Sequence, residues 1–171
     1  MNGEVEHLEA SGPPGRRQVL DDDTQALFDM GLRGLEENRV AEAVESLRAA
    51  SERAPQNAQV RSFLGVGIAR SGGSFSEART LCEDAAKQEF FNPELYLNVA
   101  KVYLRFDRRS EALRYLRRGQ MIDPGHEPIN QAIASLGRRK LPILPFLPRR
   151  HPVNRALGNA RSRVVGAFSC V

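Results

Sequence analysis

Tryptophan is absent from the 171 residues, and Phe and Tyr together make up only 6%. A core built from this chain therefore relies on Leu, Val, Ile and Ala, whose stabilisation scales with the apolar area they remove from water. Only two cysteines occur, Cys82 and Cys170. That number offers neither a disulfide framework nor metal-ligand spacing, and it favours a reducing, cytoplasmic setting. No apolar run is long enough to span a bilayer. The opening stretch is acidic and lacks the basic flank and apolar core of a signal peptide. Cys170 stands second from the end rather than fourth, which excludes a prenylation box. Enzyme chemistry is equally poorly supplied. His7, His126 and His151 lie far apart, and none has a Glu or His at metal-ligand spacing. The glycines between 61 and 73 fall on a predicted helix and its following turn, not after a strand, so they form no phosphate loop. The expectation is a protein with no catalytic site, no cofactor and no metal.

What is present is charge asymmetry and helical periodicity. The formal net charge is +4. Residues 1–23 carry six acids against Arg16 and Arg17, whereas residues 128–171 carry eight bases and no acid. Residues 24–127 balance at 15 of each sign, so the basic character belongs to the tail rather than the body. Residues 1–23 read as a disordered acidic arm.

From there apolar and small residues recur at helical spacing. The first helix is expected from Thr24 to Glu37 behind the capping run Asp21–Asp23, with Leu27, Met30, Gly31, Gly34 and Leu35 facing inward. A second follows to about Arg53 through Val40, Ala43, Val44, Leu47 and Ala50, and Pro55 stops it. The unit then starts again. Gly31, Gly65 and Ala100 are equivalent, as are Ala43, Ala78 and Ala112, and Ala50, Ala85 and Gly119. The steps are 34 or 35 residues, and the extra residue falls at the turn Ser71-Gly72-Gly73-Ser74. A fourth start is broken, leaving one capping helix over 127–139 with Ile129, Ile133 and Leu136 turned inward. A Pro-rich stretch and a short basic helix occupy 140–171.

A period of 34 with small residues at places 8, 20 and 27 and Pro at place 32 resembles the tetratricopeptide repeat. The resemblance implies an all-α solenoid of three helix-turn-helix repeats, about 24–57, 58–92 and 93–126. With the capping helix they make a domain over 24–139, which the Pro-rich, basic extension follows. Gly34 and the missing Pro at Phe90 depart from the pattern. The tail looks like those of some bacterial proteins with such repeats.

The same resemblance implies that the first helix of each repeat lines a concave peptide-binding face. Carried over, that face holds Gln25, Phe28, Leu32 and Leu35, then Gln59, Ser62, Val66 and Arg70, then Leu97, Lys101, Leu104 and Arg105. Glu36, Ala69 and Glu94 fall in the same register. Phe28 and Leu32 occupy the places where chaperone-binding members have the Lys and Asn of a carboxylate clamp, so no such clamp is expected. An apolar groove with a basic end suits a peptide that carries apolar and acidic residues. The expected function is a protein-protein adaptor or scaffold whose partner the residues do not name. Three alternatives accompany it. The chain could be a secretion-type chaperone for a hydrophobic client. The basic tail could contact an anionic membrane or nucleic acid. Residues 141–152, too apolar to stay in water, could dock on the solenoid itself.

Overall fold

A computed structural model describes residues 19–137. The acidic residues up to 18 and the Pro-rich and basic extension after 137 lie outside this range. Among the described residues there are seven helices and no strand. They are α1 Asp22–Glu36, α2 Val40–Arg53, α3 Ala58–Arg70, α4 Phe75–Gln88, α5 Pro93–Arg105, α6 Arg109–Ile122 and α7 Glu127–Gly137. They form three antiparallel pairs, α1/α2, α3/α4 and α5/α6, stacked in sequence, and α7 packs on α6. The chain is an all-α solenoid.

Local chemistry explains where the helices begin. Asp21, Asn57 and Asn92 each accept a backbone N–H of the following first turn through the side chain. His126 Nδ1 accepts the Ile129 N–H at 3.4 Å, doing the same for α7. These bonds satisfy N–H groups that a helix start otherwise leaves unpaired. Asp21 also accepts the Thr24 hydroxyl at 2.7 Å, which holds its carboxyl below the usual range.

The turns inside the three pairs are one motif used three times. Asn38, Gly72 and Asp107 all have positive φ, at 60°, 82° and 61°. The next residue then donates its N–H five residues back: Arg39 to Gly34, Gly73 to Ile68 and Arg108 to Tyr103, each at 2.8–2.9 Å. This is the left-handed closure that satisfies the last carbonyls of a helix. In the first and third pairs the next helix begins at once, and neither Arg39 nor Arg108 caps it with a side chain. The second pair holds one more residue, Ser74, whose hydroxyl accepts the Glu77 N–H. The inserted residue therefore supplies a cap that its two counterparts lack. Because Asn and Asp already occupy the left-handed position, Gly72→Asn is expected to change stability by less than about 0.5 kcal/mol. Gly72→Val should cost about 1–2 kcal/mol. Urea midpoints of the two variants check this.

Small residues set the distance between paired helices. A Cβ added at Gly31 would lie 2.4 Å from Leu47 Cγ, and one at Gly34 would lie 2.9 Å from Ala43 Cβ. At Gly65 it would meet Cys82 Sγ at 2.6 Å and the Ala78 carbonyl oxygen at 2.7 Å. Gly119 plays this part for α7, because its Cβ would sit 2.6 Å from Ile129 Cδ1. The gaps between helices are filled by fully buried Leu47, Val60, Leu95, Val99, Val102, Leu116 and Ile129. Each contributes about 1.5–3 kcal/mol by leaving water.

Two expectations for α1 need correction. Met30 is 52% exposed, although its equivalents Leu64 and Val99 are buried, while Phe28 is buried at 6%. The described residues place no helical pair ahead of α1, so the side that meets a preceding repeat elsewhere faces outward here. Helix α1 also starts two residues before the expected Thr24, at Asp22.

Charge is graded along the stack. Residues 19–53 carry a formal net −5, residues 54–92 balance, and residues 93–137 carry +2. No helix among the described residues is long and apolar enough to cross a membrane.

Candidate functional site: the α1–α3–α5 face

The first helices of the three pairs, α1, α3 and α5, lie side by side, with α3 packed against both neighbours. A row of side chains crosses them. The Phe28 and Phe63 rings meet edge to face with centroids 5.7 Å apart, joining α1 to α3. Lys101 Nζ on α5 then lies 5.9 Å from the centre of the Phe63 ring, where a cation is attracted by the negative face of the π system. The ammonium also bonds Asn98 Oδ1 at 3.0 Å and reaches Glu94 Oε1 at 3.5 Å. On the far side Glu94 Oε2 lies 3.5 Å from His126 Nε2, so this polar line continues to the start of α7.

The twelve residues assigned to this face do not share one environment. Gln25, Lys101 and Arg105 are exposed, and Leu32, Gln59, Arg70 and Leu104 are half-buried. Phe28, Leu35, Ser62, Val66 and Leu97 are buried. The last group is spent on packing the layer and forms the wall beneath the surface. Helix α3 is packed against α1 and α5 on this face, and Gly67 leaves room for α2, whose Val44 Cγ2 lies 3.0 Å from where a Gly67 Cβ would stand. Gln25 is engaged along its own helix, donating to Asp29 Oδ1 at 2.8 Å.

Arg70 has a structural partner set. Its guanidinium donates to the Leu35 carbonyl at 2.7 Å and to Asn38 Oδ1 at 3.0 Å. It therefore ties the end of α3 to the end of α1 and places a cation at the negative pole of that helix. Phe63 and Asn98 were not assigned to this face, yet they form the middle of the row. Both occupy place 6 of their repeats, one residue beyond the expected place 5. The signal that could have found Asn98 is its spacing of three from Lys101, which puts the two on one helical face. Asn98 Nδ2 is buried and has no partner among the described residues.

No group of three His, Cys, Asp or Glu residues among the described ones is placed to hold a metal ion. Cys82 is buried between α3 and α4 and donates to the Ser62 carbonyl at 3.1 Å. Burial pushes its thiol up to about 12, so it stays protonated and unreactive at neutral pH. The basic residues after 137, and the apolar residues 141–147, lie outside the described range.

Stacked helical pairs with a shared inner layer define an α-solenoid. Comparison with solved structures specifies the kind. The first such domain of Spaghetti (RPAP3), bound to the HSP90 peptide SRMEEVD, matches with TM-score 0.57 at 14% identity. That match covers 69% of this chain and 93% of the other. PcrH in complex with the chaperone-binding region of PopB matches with TM-score 0.57 at 15% identity, over 71% and 99% of the two chains. A mutant of MamA matches with TM-score 0.50 at 26% identity, over 61% and 76%. No family model and no curated protein matches the sequence. The fold is that of the tetratricopeptide repeat.

Proposed function

We propose that this protein is a non-catalytic adaptor that captures a peptide segment on the α1–α3–α5 face. The observation carrying this reading is the row Phe28–Phe63–Lys101, in which an exposed ammonium stands over a half-buried ring, with half-buried Leu32 and Leu104 about one helical turn further along α1 and α5. Such a surface offers aliphatic and aromatic contact for apolar side chains and one cation for an acidic side chain. Exposed Arg105, one helical turn from Lys101, extends the positive end. The peptides bound by the RPAP3 and PcrH domains make this class of ligand reasonable for a chain of the same fold.

The test is a peptide display selection on the full chain, followed by titration of the selected sequences. Peptides combining acidic with apolar residues are expected, and Lys101→Glu should weaken them about tenfold, roughly 1.4 kcal/mol. Selected peptides that bind the Lys101→Glu variant and a Leu32→Ser/Leu104→Ser variant as well as the native chain would refute the assignment of this face. A second reading, escort of a hydrophobic client as a secretion-type chaperone, would use the same surface. It predicts purely apolar selected peptides with no response to Lys101→Glu.

A further inference from the structure

Phe90 and Phe91 are among the most exposed large apolar side chains in the described structure, at 49% and 74%. The fold does not require them. The turn they occupy, between α4 and α5, recurs between α2 and α3 as Pro55-Gln56 and between α6 and α7 as Pro124-Gly125. In all three the same backbone bond closes the turn: Asn57 to Ala54, Asn92 to Glu89 and His126 to Asp123, at 3.0–3.2 Å. Two of the turns are made without an aromatic residue. The paired rings, 4.1 Å between centroids, therefore need a reason other than folding.

They stand beside a cleft of about 280 Å³ at the junction of α4, α5 and α6. Its lining is Glu83, Ala86, Lys87, Phe90, Tyr96 and Tyr115. The walls are held firmly. The Tyr96 hydroxyl donates to the Phe90 carbonyl at 3.1 Å, and the Tyr103 and Tyr115 hydroxyls both donate to Glu83 Oε1 at 2.7 Å. Fixed aromatic walls of this kind are what Pro-rich segments dock against, because the Pro ring stacks on an aromatic face and little backbone entropy is lost.

The same chain contains such a segment. Residues 141–149 read Leu-Pro-Ile, Leu-Pro-Phe, Leu-Pro-Arg, a triplet written three times. A polyproline helix has three residues per turn, so in that conformation this period would line Pro142, Pro145 and Pro148 along one edge and Leu141, Leu144 and Leu147 along a second. We infer that residues 141–148 dock as an extended, polyproline-like strand in the Phe90–Tyr96–Tyr115 cleft of the same chain.

Reach and charge both agree. Gly119 is packed against both Ile129, in the first turn of α7, and Tyr96 of the cleft. Helix α7 therefore starts next to the cleft and ends about 16 Å from that point at its 1.5 Å rise per residue. The four steps from Gly137 to Leu141 would cover up to about 14 Å if extended, and residues 141–148 about 25 Å more, enough to return across the cleft. Residues 141–148 carry no charge, so the Arg118 guanidinium over Tyr115 does not repel them. Arg149 and Arg150 follow directly, Glu83 supplies a carboxylate to the cleft lining, and the lining cation Lys87 is already paired with Asp84 at 2.8 Å. The site lies outside the α1–α3–α5 row, so it stands or falls apart from the peptide-binding proposal.

The experiment uses the full chain with a nitroxide on His151→Cys in a Cys170→Ser background, Cys82 being buried and unlabelled. Loss of amide signal from Ala86 to Leu97 and around Tyr115 is expected. That loss should vanish when Phe90→Pro/Phe91→Gln grafts the first repeat's turn, a change that leaves the melting temperature nearly unaltered. Mixing isotope-labelled chain with unlabelled spin-labelled chain should give no loss. Loss at the cleft that persists in the mixture overturns the inference and assigns the cleft to a second copy. Loss confined to Gln25–Glu36 and Phe63–Arg70 overturns it in favour of the α1–α3–α5 face. No loss at the cleft, with Phe90- and Phe91-dependent flotation on phosphatidylserine vesicles, overturns it in favour of lipid.

Discussion

Gly65→Ala is expected to lower stability by about 2 kcal/mol and the melting temperature by roughly 8 °C, although alanine is the better helix former. Propensity alone predicts a gain of about 1 kcal/mol inside a helix. Contact reverses the sign. The new methyl would stand 2.7 Å from the Ala78 carbonyl oxygen and 2.6 Å from Cys82 Sγ. The first is backbone of α4 and cannot rotate aside, so the two helices must separate. Gly67→Ala, on the same helix, meets side chains and no backbone, the tightest being Val44 Cγ2 at 3.0 Å, and should be near neutral. Ala100 and Ala112 are both fully buried where α5 crosses α6, so leucine at either should destabilise the array in the same manner. A melt of Gly65→Ala at or above the native temperature would contradict the close approach of α3 and α4.

Alkaline pH is the second large effect. Burial raises the Cys82 thiol from its ordinary 9.0 to about 12. The folded chain then holds a proton that the unfolded chain releases. The associated stability is complete below pH 9.0 and is lost as pH rises toward 12. The slope is about 1.4 kcal/mol per pH unit, or about 4 kcal/mol across the window. Tyr103 and Tyr115 act in the same direction, because burial and then the bond each donates to Glu83 raise both phenols above 10.0. Their share of stability is present below pH 10.0 and lost above it. Urea midpoints between pH 7.5 and 10.5 should fall progressively, and Cys82→Ala should flatten the part between 9 and 10. An unchanged profile in Cys82→Ala would remove the thiol as the cause.

The repeat architecture was legible because close helix contact demands a missing side chain, and missing side chains leave a mark in sequence. Gly31, Gly65 and Ala100 recur at steps of 34 and 35, as do their small partners, and these residues sit at the points of tightest approach. The inserted residue was also readable, since a glycine turn is where a chain absorbs one. The environment of α1 was not. Whether Met30 is covered depends on a neighbour ahead of it, which no local pattern reports. The row Phe28–Phe63–Lys101 was not readable for a related reason. One residue is a 100° rotation on a helix, and spacing alone did not decide between Ser62 and Phe63. Arg70 looked like a ligand-facing cation, and only the position of the Leu35 carbonyl reveals the role it plays.

The graded charge of the stack makes the molecule an electric dipole lying along its own repeat axis. From a formal −5 over residues 19–53 to +2 over residues 93–137, the gradient continues into a tail with eight bases. At physiological ionic strength the screening length is about 8 Å, less than the roughly 10 Å width of one helix, so the two ends act as separate poles. An acidic partner, if bound as proposed, would be turned toward the third repeat before any side chain touched it, and salt would weaken that orientation first.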